Sequence, residues 1–216
     1  MILTAFKNKF LQLKNQNVHI QYVLDIGAYR GDFTKTIKSV WPSAIVKQLE
    51  ADERQQEFLD SSCIIALLGN EDNKKVDFYT LSNDKITTGS SIFKENTIHY
   101  TPSSTVVMEK EMTTLDTLSK SHKFVGNWKE YGLIKLDTQG SELLILEGAR
   151  NFLTEKQPKF ILIECSWIEY NSGAPDLLEV IQHLDKLGYK AKDIFDMSYD
   201  NKGILIQTDI LFERKK

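Results

Sequence analysis

Val23-Leu24-Asp25-Ile26-Gly27-Ala28-Tyr29-Arg30-Gly31 is the stretch that decides how this chain folds. An apolar run from His19 to Ile26 stops at a glycine-bearing turn, and a helix-like segment begins near Asp32. Strand, loop and helix in that order form the unit in which a parallel sheet presents a ligand at the carboxyl end of a strand. Gly27 lets the backbone turn sharply. Gly31 removes a side chain where the helix must pack on the sheet or approach a ligand closely. Asp25 stands where the strand ends and is expected to point its carboxylate into the same space. The spacing is Asp-x-Gly-x-x-x-Gly, not Gly-x-Gly-x-x-Gly.

That difference bears on the ligand. A pyrophosphate needs close backbone approach and a helix N-terminus free of negative charge. Asp25 before the turn and Asp32 at the helix start oppose a diphosphate but suit a cofactor with an ammonium or sulfonium. The next strand, from about Ala44 to Leu49, ends in Glu50, about 20 residues beyond the loop, the distance at which an acid reaches ribose hydroxyls. Gly27 and Gly31 taken alone are compatible with a tight structural turn, and Glu50 alone with a solvated strand end. Together, in this order and separation, they point to an adenosine-type cofactor without a phosphate bridge. S-adenosylmethionine fits that description.

The chain has 216 residues, 41% of them hydrophobic, enough for one domain with a sizeable core. A net charge of −3 gives no nucleic-acid footprint. The two cysteines, Cys63 and Cys165, sit in apolar runs and read as buried reduced thiols of a cytoplasmic protein. No Cys/His spacing suggests a metal. Phe6, Phe10 and Leu13 recur at helical spacing among lysines, so residues 1–18 read as an amphipathic helix laid on the domain rather than a signal peptide. No stretch has transmembrane length. No membrane or nucleic-acid partner is expected.

Alternation of strand and helix continues downstream. Asp52 to Leu59 reads as a short helix, Cys63 to Leu68 as one buried strand, and Val76 to Ser82 and Thr105 to Thr113 as extended segments. Residues 83–104 form a long variable segment of the kind that is usually functional or mobile. Leu133 to Leu136 is a buried strand closed by Asp137-Thr138-Gln139-Gly140, and Ser141 starts a helix that carries Leu143, Leu144, Leu146 and Ala149. Phe160 to Glu164 has the unbroken apolar character of a central parallel strand. An amphipathic helix, Asp176 to Leu187, precedes two strands near Lys190–Phe195 and Ile204–Phe212, which suit an antiparallel edge hairpin. The sum is one α/β domain built on a doubly wound sheet, mostly parallel with an antiparallel C-terminal edge strand. Asp25, Glu50, Asp137 and Glu164 all fall at or near strand ends, the rim where such sheets bind ligands.

Two motifs, Asp25-Ile-Gly-Ala-x-x-Gly31 and Ile134-Lys-Leu-Asp-Thr-Gln-Gly-Ser-Glu-Leu-Leu-Ile-Leu-Glu-Gly-Ala149, resemble those of the FkbM-type methyltransferase family. Gly89-Ser90-Ser91, Thr114-Leu115-Asp116 and Ile163-Glu164 echo further family segments, so the resemblance spans about residues 20–195. It implies a Rossmann-like fold and O-methylation of a small molecule or glycan with S-adenosylmethionine. Two positions depart from the pattern. Tyr29 replaces a usual Asn. Gln139 replaces the usual Glu of Asp-x-Glu-Gly, and an amide is neutral and donates as well as accepts.

In this reading Asp25, Gly27, Ala28 and Gly31 surround the methionine part, Glu50 holds the ribose, and Leu67 and Leu68 flank the adenine. Asp137 lies nearest the transferring methyl, orienting cofactor or acceptor or taking a proton. Of the four histidines as possible catalytic bases, His99 is the one expected over the cofactor rim, with a solvated loop residue as the alternative; His183 reads as a helix-surface residue, and His19 and His122 lie near element ends. Glu142 belongs to the helix start, and Trp167 could wall an acceptor pocket. Replacing Asp25 by alanine is expected to remove cofactor binding and leave the fold. Two other classes stay open: an NAD-linked oxidoreductase, disfavoured by the glycine spacing, and a cofactor-binding protein without turnover, kept alive by Tyr29 and Gln139.

Overall fold

The computed structural model describes residues 2–82, 88–121, 124 and 126–215. Helix α1 (Ile2–Asn15) leads to β1 (Tyr22–Ile26), α2 (Asp32–Val40) and β2 (Ile45–Glu50). A 3-10 turn (Glu53–Phe58) precedes two short strands, β3 (Ile64–Ile65) and β4 (Leu67–Leu68), then β5 (Lys75–Leu81) and β6 (Thr105–Thr113). The second half runs α3 (Leu115–Ser121), α4 (Trp128–Tyr131), β7 (Gly132–Leu136), α5 (Glu142–Glu147), α6 (Arg150–Lys156) and β8 (Phe160–Ser166). It closes with α7 (Leu177–Lys186), β9 (Tyr189–Tyr199) and β10 (Leu205–Arg214). Residues 83–87 of the long variable segment, and His122, lie outside the described residues.

The main sheet has seven strands in the order β3-β2-β1-β7-β8-β10-β9. The first five run parallel, and β10 is antiparallel to both β8 and β9. The last two strands thus form the expected antiparallel edge hairpin, with β9 outermost. All five residues of β7 and the first four of β8 are buried, as a strand covered on both faces requires. One face is covered by α1 and α2, where Phe6 and Phe10 meet Phe33, Trp41 and Phe195 in edge-on aromatic contacts. Phe6 and Phe10 of the N-terminal helix are buried in these contacts. The other face carries Leu115, Leu146, Phe152 and Leu184 from α3, α5, α6 and α7.

Three local expectations are corrected. Residues 63–68 are not one strand: Ala66 donates its N–H to Glu50 O and hands the chain from β3 in the main sheet to β4 in a second, three-stranded sheet of order β4-β6-β5. The helix after Ser141 breaks at Gly148, where a Cβ would lie 2.0 Å from Gly69 O, and the Asp116 carboxylate accepts from the N–H groups of Asn151 and Phe152 to start α6. The segment from Asp52 is a 3-10 turn, capped by the Asp52 side chain. Elsewhere the local signals hold: Asp176 and Glu179 form a capping box on α7. Cys63 and Cys165 are both free, and burial pushes the Cys63 thiol up to about 12. No helix among the described residues is long and apolar enough to cross a membrane.

Candidate active site

The β1–α2 loop is stitched to its neighbour before any side chain is considered. Gly27 and Ala28 donate their N–H groups to Leu49 O at 3.0 and 3.1 Å. Gly27 has φ +74°, and a Cβ there would lie 1.9 Å from the carbonyl oxygen of Asp137. The β1 and β7 loops therefore touch at a point where only glycine fits. Tyr29 also has positive φ, 48°, and its N–H donates to Glu50 Oε2 at 2.7 Å. Asp52 N–H donates to Glu50 Oε1 at 2.8 Å. Burial pushes the Glu50 carboxyl up, and these two N–H bonds pull it back. Position 29 thus acts through its backbone, in a left-handed conformation that Asn tolerates readily, and the Tyr side chain leaves that role intact.

Beneath the loop lies a buried ion cluster. Asp25 and Lys135 are paired in register on β1 and β7 and are 0% and 7% exposed. Lys135 Nζ donates to Gly27 O at 2.7 Å and stands 3.2 Å from Asp137 and 3.6 Å from Asp25. Asp25 Oδ2 accepts from the Thr34 hydroxyl at 2.7 Å. Burial would push the Lys135 ammonium down, but Asp137 and Asp25 hold it above its ordinary value. Lys135 was not picked out from the sequence. A lysine inside Leu133-Ile134-Lys135-Leu136, one strand away from Asp25, is the signal that could have found it.

Gln139, in left-handed backbone at φ 57°, settles what its departure from the family pattern does here. Its amide Nε2 donates both to Asp137 Oδ1 at 3.0 Å and to Glu164 Oε2 at 2.7 Å. A glutamate in this place would set a third carboxylate against two others, whereas the amide bridges them. Gln207 Nε2 donates to the same Glu164 oxygen at 3.0 Å. Glu142 folds back as expected for a helix start, accepting from Thr138 N–H, the Thr138 hydroxyl and Gly140 N–H.

Asp209, opposite Glu164 in the β8–β10 register, completes the acidic group. Burial first, then the charge of Asp137, raises Asp209 to about 8, and Glu164 is pushed up by burial, Asp137 and Asp209. Unfolded carboxyls titrate near pH 4. The folded state therefore holds protons that the unfolded chain releases, and this contribution to stability is full below about pH 4 and lost as pH rises toward about 8. The melting temperature is expected to fall between about pH 6 and about pH 8.5, and Asp209→Asn to remove much of that fall. A wild-type melting temperature that climbs over this range would contradict the assignment.

Glu50, Asp137, Gln139, Glu164 and Gln207 border a cleft of about 350 Å³ at the carboxyl ends of the parallel strands. Its flank on the β2 side is largely apolar, with Leu67, Leu68 and Phe78 from the small sheet and Ile145 from α5, and Glu50 beside them. Its flank on the β8 side is polar, with Gln139, Glu164, Tyr170, Ser198 and Gln207. Of the residues expected at the site, Gly27, Glu50, Leu67, Leu68 and Asp137 line this cleft. Asp25 does not, because it is consumed by Lys135 and Thr34 below the surface. Ala28 is buried in its own turn, its carbonyl accepting from Gly31 N–H. Gly31 precedes α2 and packs against the Gln48 side chain. His99 is exposed and outside the lining, its carbonyl accepting from the Ser104 hydroxyl in a local turn. Trp167 is turned away, its ring N–H donating to the Thr208 hydroxyl. Tyr170, Ser198 and Gln207 carried no signal in the sequence, since they come from a loop and the C-terminal hairpin.

A glycine loop closed on an acidic strand end, in a cleft that no Lys, Arg or His lines among the described residues, defines a binder of a nucleoside bearing positive charge. Residues 25–191 match the model of the Methyltransferase FkbM domain, and the chain belongs to that family of S-adenosylmethionine-dependent methyltransferases. The residues present fit that cofactor, which offers a sulfonium and an ammonium and no phosphate. The fold is similar to that of an O-methyltransferase from Bacillus cereus in complex with S-adenosylhomocysteine, with TM-score 0.50 and 14% identity, covering 98% of this chain and 81% of that one. It is also similar to magnesium protoporphyrin IX methyltransferase from Synechocystis PCC 6803, with TM-score 0.49 and 11% identity, covering 99% and 79%. No curated protein matches the chain.

Proposed function

We propose that the protein is an O-methyltransferase acting on a hydroxyl of a small molecule or glycan. The observation that supports this best is the polar flank of the cleft, where Asp137 and Glu164 stand beside amide and hydroxyl side chains suited to an alcohol. Bound S-adenosylmethionine supplies an electrophilic methyl group. Glu50, each of whose oxygens already accepts one N–H, keeps lone pairs for the ribose hydroxyls, and Leu67 and Leu68 offer the adenine an apolar wall. Gly27 brings the backbone close to the methionine part, and Asp137 orients the cofactor amine or the acceptor hydroxyl. Alignment of this kind is the main contribution an enzyme makes to an in-line displacement. A cytoplasmic setting belongs to the same proposal and rests on the two free thiols.

Calorimetric titration tests the cofactor half: S-adenosylhomocysteine is expected to bind and NAD not to. Glu50→Gln should weaken S-adenosylhomocysteine by about tenfold, the size of one lost charge-assisted hydrogen bond. Unchanged affinity would remove Glu50 from the site. Transfer of labelled methyl to a panel of alcohols tests the acceptor half. Retained binding with no transfer to any alcohol would favour the second reading, a cofactor-binding protein without turnover, which Gln139 supports because its neutral amide occupies both Asp137 and Glu164.

A further inference from the structure

The polar flank of the cleft holds two carboxyl groups, Glu95 and Glu164, with no cation beside them among the described residues. Glu95 is 7% exposed, yet it lines the cleft. Its Oε1 accepts from the Thr97 hydroxyl and, at 3.4 Å, from the Tyr170 hydroxyl. Its Oε2 has no hydrogen bond among the described residues and lies 1.9 Å from where a Cβ at Gly89, another lining residue, would stand. Glu164 repeats the pattern. Gln139 and Gln207 both donate to Oε2, and Oε1 has no hydrogen bond among the described residues. Tyr170 joins the two, since burial first and then the charges of Glu95 and Glu164 push its hydroxyl up to about 12.

Among the described residues neither carboxylate has an ion-pair partner within 4.0 Å, and no cationic side chain lines the cleft. Lys135 sits below the floor on Asp137 and Asp25, and the Arg54 guanidinium is turned onto Asp52, the Leu81 carbonyl and the Thr80 hydroxyl. Carboxylates buried without a counter-charge are costly, which is why Glu164 is pushed up, and an anionic ligand would add a further like charge. A neutral polyol would leave Glu95 without a counter-charge and Glu164 still pushed up. A protonated amine would pair with them, in contacts of the strong, charge-assisted kind.

We infer that the acceptor carries a protonated amine beside its hydroxyls, as an amino sugar does, and that Glu95 and Glu164 select for it. The inference rests on the methyltransferase reading for the hydroxyl that is modified, but the charge preference can be read without turnover. Saturation-transfer NMR on the full chain loaded with S-adenosylhomocysteine, using glucosamine, glucose and glucuronate as matched probes, measures it. The loaded cofactor product already fills the ammonium subsite of its own methionine part. Glucosamine is expected to bind about tenfold more tightly than glucose, with glucuronate weakest, and Glu95→Gln and Glu164→Gln each to erase about tenfold of that preference. S-adenosylhomocysteine affinity should stay unchanged in Glu95→Gln, which also reports that it folds, and a cooperative thermal transition reports the folding of Glu164→Gln, whose Gln139 bridge reaches Asp137. If Glu95→Gln loses the fold, Glu164→Gln and the wild-type selectivity decide the question. Equal binding of glucose, preference for glucuronate, binding of none of the three, or a glucosamine affinity indifferent to both substitutions would overturn the inference. If S-adenosylhomocysteine itself fails to bind, the cofactor reading falls instead, and the same titrations on the protein alone still decide the amine preference.

Discussion

Alanine at Lys135 is expected to cost the fold about 3–5 kcal/mol, the loss typical when one partner of a buried ion pair is removed. Lys135 donates to Gly27 O and neutralises Asp25, which is 0% exposed, and Asp137. Without it Asp25 keeps only the Thr34 hydroxyl, and the β1 loop loses the bond that holds the Gly27 carbonyl. Chemical denaturation should show a midpoint well below wild type, and the double variant Lys135→Ala with Asp25→Asn should recover part of the loss, because the orphan group is then neutral. A single variant as stable as wild type would mean that the buried cluster is not what holds the two strands together. The same cluster revises the expectation for Asp25→Ala. Its first effect falls on stability, and any loss of cofactor binding follows from that.

Gly27→Ala should be nearly as damaging, for a steric reason. A left-handed backbone costs a non-glycine residue on the order of 1–2 kcal/mol. The new methyl group would also lie 1.9 Å from the Asp137 carbonyl oxygen, a backbone atom that cannot swing away. The two loops must part, and that separates the Gly27 backbone from Asp137 at the place proposed for the methionine part. Binding of S-adenosylhomocysteine is expected to fall by well over about tenfold. Gly31→Ala is the control. It has nearly the same φ, +73°, but its Cβ would meet the Gln48 side chain at 2.9 Å, and a flexible amide can move. Calorimetry on both variants separates strain from clash. Equal losses would show that the close approach at Gly27 has no special weight.

The sheet was readable because its central strands are short apolar runs: Phe160–Ile163 is unbroken, and Val23–Ile26 and Leu133–Leu136 are each interrupted by a single charged residue, too few to give the alternation of a half-exposed segment. The second sheet was not. Its edge strand β4 is two residues long, and Ile64 to Leu68 looks like one strand to any periodicity argument. The break at Gly148 was hidden for a similar reason, because apolar spacing runs on from Leu143 to Leu153 and only the contact with Gly69 interrupts it. The rim of carboxylates at Glu50, Asp137 and Glu164 was legible from strand ends. Asp25 belonged to the same pattern but faces inward, since a register partner 110 positions away in sequence (135 − 25) claims it. Tyr170, Ser198, Gln207 and Glu95 reach the cleft through loops and a hairpin, where spacing encodes nothing about direction.

The single residue Ala66, by passing the chain from one sheet to the other, has a bearing on how such a protein can diversify. Leu67 and Leu68 are hydrogen-bonded to β6, and β5 and β6 are also the strands joined by the variable segment that carries Gly89-Ser90-Ser91 and Glu95. The wall proposed for the adenine and the Glu95 wall of the cleft are built on one small frame. Insertions between β5 and β6 can redesign the acceptor side freely, provided the β4–β6 register survives; a mutation that slides that register changes both walls together.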